Sequence, residues 1–335
     1  MKIVGTGLVC LDIIDAENKV RLMNGGTCAN VMTALAQLGE QASVMLPDYV
    51  DDPLRGRFYD TFKLLGVSVI TYGETRRNIP RIIEAYNEKH THFFYTKCPV
   101  CHRDLILGKY ISLSEAKKIM DRILDNDVLF VDRISDGIKM LASEFNEKGK
   151  KVFYEPNSGR NLDAVIAMTR KSNIVKFSTD RISMKIADKI IEECKDGKLD
   201  LVIATQGESG LQFSYRTESG YFTDWITGPY IEFETTVDTS GAGDWLSAGF
   251  LHFWADEGFL LERDCIYGSL KKGLFLSDVC SQTEGAQGVF YNDLVLKTLK
   301  RRFHIKLESR LEAYLLNHGD ENGKSCLQCL LEYDD

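Results

Sequence analysis

Asp238-Thr-Ser-Gly-Ala-Gly-Asp244 runs directly into Trp245, Leu246, Ala248, Gly249, Phe250 and Leu251, an apolar set at helical spacing. Two carboxylates therefore bracket a Gly-Ala-Gly turn at the start of a predicted helix. Gly241, Ala242 and Gly243 leave backbone N–H groups bare. The first turn of the helix adds unpaired donors and the positive end of its dipole. That combination is a cradle for phosphate. An Asx-turn or N-cap around Asp238 and Thr239 accounts for the first carboxylate. It leaves Asp244 unexplained, because a carboxylate beside a bound anion is repelled. Proton abstraction next to a phosphoryl group would give Asp244 a reason to be there.

A second motif lies more than 200 residues upstream. Gly25-Gly-Thr-Cys-Ala-Asn30 leads into a helix marked by Val31, Ala34, Leu35 and Leu38, which stops at Gly39. Gly25 and Gly26 let a polar ligand approach the backbone, and Asn30 offers both a donor and an acceptor to hydroxyl groups. Asp12 follows a buried opening strand over residues 2–10. By itself it reads as a surface-loop residue.

Between the two motifs, strands and helices alternate. Strands are expected at 42–46, 67–70, 128–131, 151–155, 174–177 and 201–205. Helices are expected at about 53–65, 114–123, 136–147, 161–170 and 183–194. This rhythm implies right-handed crossovers and a mostly parallel sheet covered on both faces. Segments 79–86 and 91–95 flank a polar turn and fall outside the rhythm, as a hairpin in a small lid sheet would. From Tyr291 the chain changes character, becoming charged and ending in polar, cysteine-bearing sequence.

The 335 residues are 44% hydrophobic with a net charge of −8. A large core is expected, and a basic face for nucleic acid is not. No apolar run reaches membrane-spanning length and the N-terminus enters a strand at once, so a cytoplasmic location is expected. Nine cysteines is an odd number that does not suit a secreted disulfide framework. Cys10, Cys28, Cys194, Cys265 and Cys280 stand singly and read as reduced thiols. Cys98-Pro-Val-Cys101 and Cys326-Leu-Gln-Cys329 are paired. Two such knuckles supply the four thiolates of a structural zinc, provided the tail folds back toward the lid in the same chain or in a partner. The alternative is two unrelated dithiols.

The two glycine motifs, in this order, resemble the N- and C-terminal signatures of the ribokinase-like (PfkB) carbohydrate and nucleoside kinases. The resemblance covers about residues 2–290. It extends to Glu155-Pro-Asn157, to Thr205-Gln-Gly207-Glu-Ser-Gly210 and to Gly285-Ala286. It implies a three-layer α/β/α domain over 1–290, with lid elements about 12–24 and 76–97, followed by an extension over 291–335. It also implies transfer of the γ-phosphoryl group of ATP, accompanied by Mg²⁺, to a hydroxyl of a small polyol. Asp244 would be the base and the 241–243 amides the anion hole. Asp12, Gly25, Gly26 and Asn30 would hold the acceptor. Ser178, Thr205, Gly207, Gly210 and Gly285 would line the nucleotide site. Asp238 and the Ser240 carbonyl match ligands of a monovalent cation, K⁺, and lids in the family pair between subunits, implying a homodimer. The chain departs from the family where Asn-x-x-Glu is usual: Ser178 and Arg181 stand there, and arginine cannot ligate a metal. A non-catalytic nucleotide-binding protein of the same fold, with a zinc-stabilised interaction tail, is the alternative reading.

Overall fold

The computed structural model describes residues 1–16, 19–86, 92–98, 102, 104, 105, 108–228, 236–292, 295–297, 299 and 314–317. In chain order the first elements are β1 (Lys2–Thr6), β2 (Cys10–Ala16), β3 (Lys19–Gly25), α1 (Thr27–Gln37), β4 (Gln41–Tyr49), α2 (Arg55–Leu64), β5 (Ser68–Thr75), β6 (Arg81–Tyr86) and β7 (His92–Tyr95). Then come α3 (Leu113–Ile123), β8 (Val128–Val131), α4 (Asp136–Glu147), β9 (Lys151–Tyr154), α5 (Leu162–Thr169), β10 (Ile174–Ser178), α6 (Met184–Cys194) and β11 (Leu201–Thr205). The last are β12 (Gly210–Thr217), β13 (Gly220–Thr227), α7 (Ala242–Asp256), α8 (Arg263–Cys280) and β14 (Tyr314–Asn317).

The large sheet has the order β13-β12-β11-β10-β9-β8-β1-β4-β5. From β11 to β5 every neighbouring pair is parallel, and β12 and β13 close one edge as an antiparallel hairpin. The parallel strands read as continuous apolar runs because both faces are covered. Successive residues of β1 and β8 feed opposite cores. Ile3 and Val128 join α1, α2, α7 and α8 on one side, while Val4 and Leu129 join α3 to α6 on the other. Local signals set the helix boundaries: Ser112 and Glu115 form a capping box ahead of α3, and Ser135 caps α4.

Strand order reverses around β1, with β4 on one side and β8 on the other. The carboxyl ends of β1 and β8 therefore open onto a crevice of the kind where α/β sheets bind ligands. Over this edge stands the small sheet, β14-β3-β2-β6-β7, containing the expected hairpin of β6 and β7. The single opening strand expected over 2–10 is in fact two. It breaks at Gly7–Val9 because Asp132, just past β8, occupies the space a Gly7 side chain would need and accepts the Leu8 N–H at 2.8 Å. The chain thus leaves the large sheet at Thr6 and enters the small one at Cys10.

Part of the extension is woven into the rest. Leu296 and Leu299 are buried in the core beside α7 and α8, and β14 pairs antiparallel with β3. Cys98 is buried; Cys101, Cys326 and Cys329 lie outside the described residues. Among the described residues no helix is long and apolar enough to cross a membrane, and no group of three or more metal-ligating side chains occurs.

Candidate active site

The glycine turn behaves as its composition dictates. Gly241 takes φ 78° as the residue ahead of α7, a left-handed conformation that suits glycine. A Cβ there would lie 2.1 Å from Ala286 Cβ. The N–H groups of Gly241, Gly243 and Asp244 have no acceptor among the described residues, whereas Ala242 N–H turns back to Thr239 O at 3.2 Å. Three bare amides therefore face the space ahead of the helix.

Asp238 builds the cradle from behind. One of its oxygens accepts Ser240 N–H at 2.7 Å and the other accepts Gly285 N–H at 2.6 Å. Trp245 fastens the same loop by donating its indole N–H to Ala286 O at 2.8 Å, and its buried ring lies against Phe290. The fold makes this indole part of the core.

Tertiary packing of α1 against α7 joins the two sequence motifs. Asn30 Nδ2 donates to Asp244 Oδ2 at 2.7 Å across 214 residues. Asn30 is 8% exposed, and its Oδ1 has no hydrogen-bond partner among the described residues. Asp12 comes from β2 into the same neighbourhood and is also 8% exposed. Gly25 is what lets it in: a Cβ there would fall 1.6 Å from Asp12 Oδ2. Cys10 donates its thiol to Asp12 Oδ1 at 3.3 Å. Glu84, on β6, is buried nearby and accepts from Ser240 Oγ at 3.4 Å. Sequence reading gave Glu84 no role.

These carboxylates do not titrate as they would in water. Burial, and then the charge of Glu155, push Asp244 up to about 7, while the Asn30 hydrogen bond and Lys176 oppose the rise. Burial and the Glu84 charge hold Asp12 well above the usual carboxylate range. Asp132 is pushed up to about 6 by burial against the restraint of Arg133. Asp244 is therefore poised near neutral pH, where a general base works well.

The remaining candidates lie along the carboxyl edge of β10 and β11, where Ser178 and Thr205 are paired neighbours. Thr205 O accepts the Thr179 N–H and hydroxyl at 2.9 and 3.0 Å. Gly207 and Gly210 have φ of 54° and 105°, and a Gly210 Cβ would meet Ile226 O at 2.0 Å. Gly285 faces the small sheet through Met23 and Ile14. Arg181 is exposed. Arg76 and Arg77 are exposed, and Arg81 is buried in an ion pair with Asp52 at 3.2 Å.

Lys176 is a second residue that sequence reading missed. Its side chain is 3% exposed; it pairs with Glu155 and donates to Gly243 O at 2.8 Å. The signal was present as a lysine inside the otherwise apolar run Ile174-Val-Lys-Phe177, where an unpaired charge is costly.

No protein-family model and no curated protein matches the sequence. Solved structures do match the fold. A ribokinase from Giardia lamblia superposes with a TM-score of 0.71 at 14% identity, over 90% of this chain and 99% of that one. An adenosine kinase from Schistosoma mansoni in complex with 2-fluoroadenosine gives 0.67 at 16% identity, over 85% and 96%. A fructokinase from Vibrio cholerae, bound to fructose, ADP and calcium, gives 0.66 at 17% identity, over 89% and 98%. Sheet order, the small second sheet and these likenesses agree: the chain has the ribokinase-like fold.

Proposed function

We propose that the protein is an ATP-dependent kinase acting on a hydroxyl of a sugar, sugar acid or nucleoside, with Asp244 as general base. The observation that carries this reading is the Asn30–Asp244 contact at the head of α7. It sets a carboxylate poised near neutrality beside three bare amides, with an unpartnered Asn30 oxygen for an acceptor hydroxyl. Asp12, Gly25 and Gly26 complete the acceptor side. Asp244 takes the hydroxyl proton as the oxygen forms its bond to phosphorus and the bond to ADP breaks. The amides of Gly241, Gly243 and Asp244 face the charge on the moving group, which is where fixed donors are most effective.

The residues fit a nucleotide. The glycine cradle is empty of side chains, and Ser178, Thr205, Gly207, Gly210 and Gly285 stand along the sheet edge and the loop that would receive it. Mg²⁺ would arrive with ATP and supply charge neutralisation. A monovalent cation at Asp238 and the Ser240 carbonyl belongs to the same proposal; the Asp238 oxygens already accept backbone N–H groups, and the Ser240 carbonyl accepts the Cys280 thiol at 3.6 Å. The test is ADP formation when ATP and Mg²⁺ are offered with pooled sugars, sugar acids and nucleosides. No ADP above the acceptor-free rate with any pool would reject the reading. Asn30→Ala is expected to lower kcat/KM for the acceptor about 10–100-fold, measured with the acceptor the pools identify.

For the rest of the chain we propose a kinase body over 1–290 and an extension over 291–335 whose cysteines join Cys98 and Cys101 on zinc. The return of β14 to the small sheet supports this. Cys326 lies nine residues beyond Asn317, a reach of up to about 30 Å. Metal analysis of the purified chain is expected to give one zinc per chain, and Cys98→Ser to remove it. Less than a tenth of an equivalent in the wild type would reject the site. A homodimer through the small sheet is proposed on the family resemblance, with sedimentation as its check.

A further inference from the structure

Lys176 sits where charge is expensive. Its strand is apolar on both sides, and its partner Glu155 is itself mostly buried. A buried ion pair roughly breaks even against apolar residues of the same volume, because desolvation offsets the Coulomb gain. Stability of the sheet therefore gives no reason for the pair. Its geometry does. Lys176 Nζ donates to Gly243 O at 2.8 Å, and Ser247 Oγ lies 3.2 Å from that same oxygen and 2.7 Å from Glu155 Oε2. The Gly243 carbonyl belongs to the same planar peptide as the Asp244 N–H, and the two point in opposite directions. Holding the carbonyl from below aims the N–H into the space ahead of α7.

We infer that Lys176, held by Glu155, is a positioning residue that fixes the Gly243–Asp244 peptide and the base it carries. This rests on the kinase reading above for its catalytic consequence, but not for its electrostatics. Among the described residues, the groups whose charge bears on Asp244 come from every element around it: Glu155 after β9, Lys176 on β10, Asp132 after β8, Asp12 on β2, and the thiols of Cys28 and Cys280. Lys176 is the cation of that set; Arg133 is engaged with Asp132. Glu155 and Lys176 thus act on Asp244 with opposite sign through one pair, which gives the inference a signature that a merely structural role lacks.

The experiment follows Asp244 by carboxyl carbon NMR in the full chain, with the resonance assigned by its loss in Asp244→Asn. Lys176→Met is expected to raise the Asp244 midpoint and Glu155→Gln to lower it, each by about one pH unit. Lys176→Arg and the Lys176→Met/Glu155→Gln double variant are expected to stay within about half a unit of wild type. If Lys176→Met does not fold, the double variant decides against Glu155→Gln alone. Where turnover is measured, the acidic limb of kcat/KM moves with the midpoint. Lys176→Met lowers kcat about tenfold or more while acceptor KM changes little. Midpoints that stay put, or that move in the same direction in both single variants, overturn the inference. Absence of any turnover overturns the kinase reading and leaves the NMR result to decide the role of Lys176.

Discussion

Asp244→Asn is expected to reduce turnover by about two orders of magnitude or more, to leave ATP binding intact and to make the protein more stable at neutral pH. The first effect follows from removing the base. The asparagine keeps the shape of the side chain and a partner for Asn30, so the amide cradle and the nucleotide edge stay in place. The third effect follows from linkage. Asp244 is pushed up to about 7 from an ordinary 3.8, so the folded state holds the proton more tightly than the unfolded chain. Its contribution to stability is fully present below the ordinary value. It is lost as pH rises toward 7 and the half-buried carboxylate must ionise beside Glu155. Asparagine never ionises. The variant is expected to melt about 2–4 °C above wild type at neutral pH, with the gap closing as pH falls toward 4. Scanning fluorimetry across pH, with nucleotide titrations, checks all of this. Unchanged turnover removes the base assignment, and a lower melting temperature at neutral pH removes the electrostatic account.

Gly241→Ala is expected to damage both the fold and the site. It meets two obstacles together. The backbone is left-handed at φ 78°, and the new Cβ would sit 2.1 Å from Ala286 Cβ and 2.5 Å from Ala286 Cα. Strain at such a φ costs about 1–3 kcal/mol, and overpacking against backbone costs a similar amount. The loop cannot yield freely. Asp238 grips it at Gly285 N–H and Trp245 grips it at Ala286 O. We expect a fall in melting temperature of about 5–10 °C and, in the fraction that stays folded, loss of ADP formation, because the bare amides are displaced. Gly243→Ala is the control. Its Cβ would meet only Lys176 Nζ, at 3.6 Å, so it should melt close to wild type. Equal stability for the two variants would show that the approach to Ala286 is not what requires glycine at 241.

The alternation of strands and helices through residue 205 was legible because each segment carries its own cause: an apolar run for a strand covered on both faces, or a cap and a helical stripe. α4 is such a case, with Ser135 ahead of it and its apolar residues at helical spacing. The break at Gly7–Val9 was not legible. It depends on the Asp132 carboxylate arriving from just past β8, 124 residues away, to take the Leu8 N–H, and nothing local to Lys2–Cys10 encodes that. The site divides in the same way. Gly241, Gly243, Asp244, Gly25 and Asn30 announce themselves through residue types that are poor choices for anything but a cradle or a polar contact. Glu84 and Lys176 are ordinary charged residues in strands, and only their burial beside Ser240 and Gly243 makes them notable.

The sequence alone determined that this chain would form a covered parallel sheet with two glycine-rich, carboxylate-bearing turns, because periodicity, caps and backbone freedom act over a few residues. Tertiary structure decided that Asn30 meets Asp244, that Asp12 enters through the space left by Gly25, and that Lys176 meets both Glu155 and the Gly243 carbonyl. Those facts are distances between residues far apart in the chain. Desolvation and charge act on such distances only once packing has fixed them.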